Sequence, residues 1–173
     1  MADMAIDAQT LTALIEAELS KVSDSRVTAH VRGLLVEPTV TMRRWDYGHE
    51  GERYPCWMVL RHPASNTGIA YCEQGFGPRS PWGLVFLAGD EGSTSIGMDC
   101  SWYTTFLQVF FESRAASELP IWRIFKTDAA TSEMQAVSAE GEWNAIWAEI
   151  TSLRESDPMN QYHCWTSIQY ERE

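Results

Sequence analysis

The segment CWMVLRHPASNTGIAYCEQGFGPRSPWGLVFL, residues 56–87, decides the fold class. It contains three short apolar runs of strand character, Cys56–Leu60, Ile69–Cys72 and Trp82–Leu87, which turn-forming residues separate. These connections are too short for the crossover, usually helical, that parallel neighbours need. Successive runs should therefore pair as an antiparallel meander.

The chain before this segment predicts two helices and a further strand. Apolar residues recur at helical spacing over residues 8–20 and again over residues 27–35, which predicts an N-terminal helical hairpin. Candidate N-caps are Asp7 or Thr10 for the first helix and Asp24 or Ser25 for the second. Pro38 should end the second helix, because the residue before a proline resists the helical region. Residues 39–45 change to a period of two, which predicts a strand.

After this segment, helical spacing and strand-like alternation of apolar residues follow one another along the chain. Asp99 or Ser101 can cap a helix that carries Trp102, Phe106, Val109 and Phe110 on one face. A strand is expected over residues 119–125, and residues 129–139 show neither period.

The C-terminal part of the chain completes the predicted fold. An apolar helical stripe runs over residues 143–153, Asp157-Pro158 ends that helix, and a last strand should cover residues 161–170. Trp102, Trp143 and Trp147 fall on apolar stripes and are expected in the core. We expect one α+β domain over residues 1–173, an antiparallel sheet packed with helices.

Charge restricts the classes of partner. The chain has 24 acidic and 13 basic residues, a formal net charge of −11, and residues 128–173 alone hold nine acidic and two basic residues. Such a charge repels nucleic acid and anionic membranes, so an electrostatically chosen partner should be basic. The chain starts without a secretory signal and has no apolar stretch of about 18 residues, so we expect a cytoplasmic protein without membrane contact.

Two predicted loops carry the candidate binding residues. Residues 45–57 place aromatic, acidic and histidine side chains around two glycines, and residues 75–82 join two predicted strands. The first loop could be catalytic, with His49 or Glu50 as general acid or base, or a recognition loop, or only a connection. We favour recognition or connection, because no second catalytic group has a known spacing to this loop. The candidate binding residues are Asp46, Tyr47, His49, Glu50, Glu52, Tyr54, Glu73, Phe76 and Arg79.

The cysteines predict neither a disulfide framework nor a metal site. Cys56, Cys72, Cys100 and Cys164 are dispersed and form no C-x-x-C pair, so we expect reduced thiols, no bound metal and no cofactor. Cys100 is the candidate nucleophile of an alternative thiol-dependent enzyme, because a helix start would lower the pKa of its thiol. Capping and packing explain the position of Cys100 equally, so we predict no catalytic role.

One family resemblance gives the expected function. The order of an N-terminal helical region, a meander ending at residues 81–87 and a helix start at residues 99–107 resembles the SUKH-type immunity proteins of bacterial toxin systems. The resemblance implies a small acidic intracellular protein that blocks a toxin by direct contact. We therefore expect a non-enzymatic binding protein with a basic protein partner. The alternatives are a thiol-dependent enzyme and a small-molecule-binding module.

Overall fold

The computed structural model describes residues 6–45, 48–74, 76–87 and 101–168. The chain divides into two compact units, Met1–Ala115 and Ala116–Glu173. Both contain helices and antiparallel strands, so the predicted α+β class is confirmed. The expectation of a single domain stays a prediction. No helix in the described part of the chain combines the length and the apolar character that crossing a membrane requires.

The first unit begins with the two predicted helices, α1 (Ala8–Leu19) and α2 (Ser25–Leu34). The Asp7 carboxylate accepts a hydrogen bond from the Thr10 N–H at 2.7 Å, and Asp24 caps α2 through the Arg26 N–H at 2.8 Å. Aspartate at these positions satisfies N–H groups that have no partner within the helix. The buried residues are Leu11, Ile15 and Leu19 in α1 and Val27 and Val31 in α2.

A five-stranded sheet follows, in the order β1-β2-β3-β4-β5. Its strands are β1 (Leu35–Arg43), β2 (Tyr54–His62), β3 (Thr67–Tyr71), β4 (Trp82–Phe86) and β5 (Trp102–Tyr103). Every neighbouring pair is antiparallel, which confirms the predicted meander. Consecutive strands are neighbours, and the connections from β1 to β4 are short enough for antiparallel pairing.

The expected role of Pro38 is wrong. Helix α2 ends at Leu34, and Pro38 lies inside β1, which begins at Leu35. The pairing of β1 with β2 shifts register between Leu35 and Thr39. Strand β1 is at the edge of the sheet, and an edge strand with a bulge tolerates a residue that cannot donate a ladder hydrogen bond.

The predicted start of the next helix, before Trp102, is also wrong. Trp102 lies in β5, opposite Gly83 of β4, and helix α3 covers only Phe106–Phe111 behind the N-cap Thr105. A Cβ atom added to Gly83 would lie 2.7 Å from the six-membered ring of Trp102. Only glycine permits this ring to lie over the strand. The alternative cap Asp99 is outside the described residues.

The second unit is built around a three-stranded antiparallel sheet, ordered β7-β6-β8. A short helix, α4 (Arg114–Ser117), comes before it, and its elements are β6 (Trp122–Thr127), β7 (Met134–Ala136), α5 (Trp143–Ser156) and β8 (Gln161–Thr166). Strand β6 starts three residues later than expected, after Pro120. Strand β7 lies where no element was predicted; all three of its residues are exposed, so no burial period marks them.

Helix α5 has the predicted stripe but not the predicted core tryptophans. Ile146 and Ile150 are buried, whereas Trp147 is 40% exposed and Trp143 half-buried. The two indole rings stack at 5.1 Å, and the Arg154 guanidinium lies 5.3 Å from the Trp147 ring. Residues four apart on a helix meet in this way. The core expectation is wrong for Trp147 and holds for Trp102, which is 7% exposed.

One long-range hydrogen-bonded contact connects α1 to α3. The Glu18 carboxylate accepts the backbone N–H groups of Phe106 at 3.0 Å and Leu107 at 2.8 Å. These N–H groups belong to the first turn of α3, where a helix has no internal acceptors. Glu18 therefore fixes where a helix that is 88 residues away in sequence begins.

Glu18→Ala should destabilise the protein by about 1–3 kcal/mol, because it leaves two partly buried N–H groups without their acceptor. Glu16→Ala is the matched control on the same helix, since it removes only an exposed ion pair with Arg32 and should cost under about 1 kcal/mol. Urea unfolding followed by circular dichroism measures both changes. Equal losses in the two variants would contradict the capping role of Glu18.

In the second unit, Asp157 is the acceptor for three side chains. It accepts hydrogen bonds from Tyr162 Oη at 2.7 Å, Asn160 Nδ2 at 2.9 Å and Lys126 Nζ at 3.2 Å. The Tyr162 hydrogen bond first, then those from Asn160 and Lys126, lower the pKa of Asp157 from 3.8 to about 2. The carboxylate thereby joins the end of α5 to β8 and β6.

Because folding lowers this pKa, the stability that Asp157 contributes is present above about pH 4 and is lost as the pH falls towards 2. Asp157→Asn should therefore lower stability at pH 7, and the gap to the wild type should narrow between pH 4 and pH 2. Urea unfolding at a series of pH values measures this gap. A gap that stays constant down to pH 2 would show that ionisation of Asp157 does not stabilise the fold.

Candidate functional site

The two loops with candidate binding residues emerge at the same end of the first sheet. Arg43 at the end of β1 is opposite Tyr54 at the start of β2, and Tyr71 at the end of β3 is opposite Trp82 at the start of β4. Trp57 is opposite Tyr71, which places the two connections side by side. The structure thus brings together the described residues of these two connections, 44–45 with 48–53 and 72–74 with 76–81, as the predicted strand order requires.

Four aromatic rings hold the two loops together, and we call them the loop-end cluster: Trp45, Tyr54, Phe76 and Trp102. The Trp45 ring meets Tyr54 at 6.2 Å and Phe76 at 5.2 Å between centroids, both nearly edge to face, and Phe76 lies 6.1 Å from Trp102. Such geometries suit the charge distribution of aromatic rings. Phe76 of the second loop is therefore in contact with Trp45 of the first.

The loop-end cluster rests on a small core on one face of the first sheet. The buried members of this core are Cys56, Met58, Ala70, Cys72, Val85 and Trp102. Trp45, Tyr54 and Phe76 are partly buried against it. Tyr54 and Phe76, two of the candidate binding residues, therefore use part of each ring to support the loops.

Two acidic side chains of the loops are fixed by tyrosines. Tyr54 Oη donates a hydrogen bond to Glu52 Oε2 at 2.5 Å, and Tyr71 Oη donates one to Glu73 Oε1 at 3.1 Å. The Tyr54 hydrogen bond lowers the pKa of Glu52, while burial first and then the charge of Glu73 raise the pKa of Tyr71 to about 12. The Glu52 carboxylate is therefore ionised at neutral pH.

The remaining predicted residues are exposed where they are described. His49, Glu50 and Arg79 lie on the surface, and the His49 N–H donates to the Glu52 carboxylate at 3.3 Å. Asp46 and Tyr47 fall outside the described residues. We call the exposed carboxylates of Glu50, Glu52 and Glu73 the acidic rim.

The described thiols are not activated. Cys56 and Cys72 are each 1% exposed, and burial raises the pKa of Cys56 to about 12 and that of Cys72 to about 11. Burial also raises the pKa of Cys164, in the second unit, to about 11. Since the thiolate is the nucleophile, these groups are unreactive at neutral pH. Cys100 lies outside the described residues. Within the described part of the chain, no three His, Cys, Asp or Glu residues form a group that could hold a metal ion.

Sequence reasoning missed two buried polar features of the first unit. The Arg43 side chain is buried, and its Nη1 donates a hydrogen bond to the Phe86 carbonyl at 3.1 Å. This hydrogen bond connects the last residue of β1 to the last residue of β4. His62 Nδ1 lies 2.7 Å from Ser65 Oγ, which lies 2.6 Å from Thr67 Oγ1. These three residues belong to the tight turn between β2 and β3, at the other end of the sheet, and they brace that turn.

A shallow groove separates α1 from the start of β1. Its volume is about 260 Å³, and it is lined by Thr12, Ile15, Glu16, Leu35, Val36, Glu37 and Pro38. Sites for small molecules usually measure about 300–1,000 Å³. The groove contains none of the predicted site residues.

Iodoacetamide at pH 7.5 should leave Cys56 and Cys72 unmodified in the native protein and modify both after unfolding, because their pKa values are near 12 and 11. Peptide mass mapping identifies the labelled thiols. The same experiment tests the prediction for Cys100. Rapid, selective labelling of Cys100 would reveal an activated thiol and favour the thiol-dependent enzyme.

The resemblance to SUKH-type immunity proteins stays a prediction. No family model, no curated protein and no solved structure matches this chain.

Proposed function

We propose that this chain is a non-enzymatic protein-binding domain, an immunity protein that neutralises a basic bacterial toxin in the cytoplasm by direct contact. The observation that carries the proposal is the convergence of two loops on one aromatic cluster with an acidic rim. Neither loop alone would offer a fixed surface. Joined through Trp45 and Phe76, they present their carboxylates on a rigid support.

The acidic rim supplies the electrostatic part of binding. Glu50, Glu52 and Glu73 project from adjacent loops of a chain whose formal net charge is −11. Such a field raises the association rate of a basic partner and weakens as salt screens it. Glu52 and Glu73 are also oriented by Tyr54 and Tyr71, so less side-chain entropy is lost on binding.

The aromatic residues supply the support and part of the contact. Phe76 and Tyr54 are half-buried, so each ring holds the loops with one side and offers the rest to a partner. Aromatic residues in this setting dominate binding energy at many interfaces. The high pKa values of the Cys56 and Cys72 thiols favour binding over thiol chemistry at this surface.

Surface plasmon resonance against the purified product of the adjacent gene tests the proposal. Glu50→Lys with Glu52→Lys should slow association by about tenfold at low salt and reduce its salt dependence. Phe76→Ala should mainly speed dissociation. The matched control is Glu37→Lys with Glu112→Lys, which changes the net charge equally at exposed positions outside the two loops.

Two results would overturn the proposal. One is the absence of binding to that protein. The other is an equal effect of the loop variant and the control variant, which would show that net charge alone matters. Circular dichroism of each variant confirms that it is folded before its kinetics are compared.

A further inference from the structure

The second unit has a sheet face that α5 does not cover. Ile124 of β6 and Tyr162 of β8 are buried, as are Ile146 and Ile150 of α5, which packs against these strands. Because successive side chains of a strand point to opposite faces, Phe125, His163 and Trp165 lie on the other face of the sheet. We call this the second-sheet aromatic face.

The rings of this face form one continuous group. Phe125 and His163 are opposite each other across β6 and β8, and the Trp165 ring lies 6.1 Å from Phe125 and 5.1 Å from His163. The imidazole and indole planes are 17° apart, close to parallel. Trp165 is 49% exposed, and Met134, opposite Thr127 on the same face, is also 49% exposed. Large apolar groups clustered at the surface of a sheet indicate a contact site.

The charges around this face are three acidic residues and Arg123, which is opposite Trp165 on the same face. Asp128 and Glu133 lie at one end of the sheet, next to Thr127 of β6 and Met134 of β7. Near the other end, Ser167 Oγ donates a hydrogen bond to the Glu140 carboxylate. Residues 128–173 hold nine acidic residues against two basic ones. The potential here attracts a cation and repels a phosphate backbone.

Three basic groups of this unit that the structure describes already have partners within the chain. Lys126 Nζ lies 3.2 Å from the Asp157 carboxylate, Arg123 donates to the Ser138 carbonyl at 2.8 and 2.9 Å, and Arg154 donates to the Tyr162 carbonyl at 2.6 Å. Among the described residues, the cations placed over aromatic rings are Lys126 over Tyr162 and Arg154 over Trp147. Neither lies over Trp165.

From these observations we infer that the second-sheet aromatic face binds an arginine-bearing segment of a protein partner, with a guanidinium stacked on Trp165. A guanidinium is planar, is attracted to the negative face of an indole and loses less hydration than an ammonium. Arg154 makes the same kind of contact with Trp147 within the chain, at 5.3 Å. This surface belongs to the second unit, and the inference does not depend on the function proposed for the loops.

Titration by ¹H–¹⁵N NMR with the peptide acetyl-Gly-Arg-Gly-Arg-Gly-amide at 150 mM salt tests this inference. The indole N–H signal of Trp165 should shift with saturation, and that of Trp147 should not. Trp165→Leu should weaken peptide binding about fivefold or more, and Phe125→Leu should weaken it as well. Trp147→Leu is the matched control, because it removes another exposed tryptophan of the same unit at unchanged charge, and it should alter affinity less than twofold.

The charge and the stacking are tested separately. The peptide with glutamine in place of arginine should not bind, and the Glu50→Lys, Glu52→Lys variant should bind the arginine peptide as the wild type does. That last result would hold even if the loops had no partner, so the two proposals fail independently. The inference is overturned if Trp165→Leu binds as tightly as the wild type, if the Trp165 signal does not shift, or if a thymidine hexamer or maltohexaose saturates the same signal and the peptide does not.

Discussion

The first unit depends on the close approach of the Trp102 ring to Gly83. This contact places β5 beside β4, closes the core around Cys56 and Met58, and gives Phe76 a ring to pack against. The Trp102 indole N–H is buried without a hydrogen-bond partner among the described residues. Leaving a buried donor unpaired costs about 1–3 kcal/mol. Burying an indole of 150–250 Å² returns about 4–6 kcal/mol at 25 cal/mol per Å², so packing decides where the ring lies.

Local patterns predicted the elements whose burial follows a regular period. The helices α1 and α2 and the meander combine an apolar period with aspartate caps or short turns, and each appears close to its predicted bounds. Trp102 escaped prediction because its state depends on Gly83, a residue 19 positions away that looks like any other glycine. Pro38 escaped prediction for a related reason. Whether a proline ends a helix or sits in a bulged edge strand depends on which strand pairs beside it.

The sequence predicted that the two loops lie at the same end of the sheet. It did not predict which of their side chains are partly buried as supports and which are exposed. Antiparallel order alone places the two loops at one end of the sheet, and the structure has them in contact through Trp45 and Phe76. What a list of aromatic and acidic residues cannot reveal is that Tyr54 and Phe76 are partly buried while Glu50 is exposed. That division arises from the small core beneath them, whose members come from four different strands and from Cys72, which follows β3.

This division changes how variants of the proposed binding residues should be interpreted. Because Phe76 and Tyr54 support the loops, replacing either alters the arrangement of the acidic rim as well as the contact itself. In the proposed function, the exposed carboxylates would act mainly through long-range attraction, which depends on their number and position more than on exact geometry. In the second unit, by contrast, the ring of Trp165 is exposed beside the half-buried Phe125. The two proposals therefore assign different roles to aromatic residues: in the loops they mainly hold carboxylates in place, whereas at the second-sheet aromatic face stacking on Trp165 would discriminate arginine from other cations.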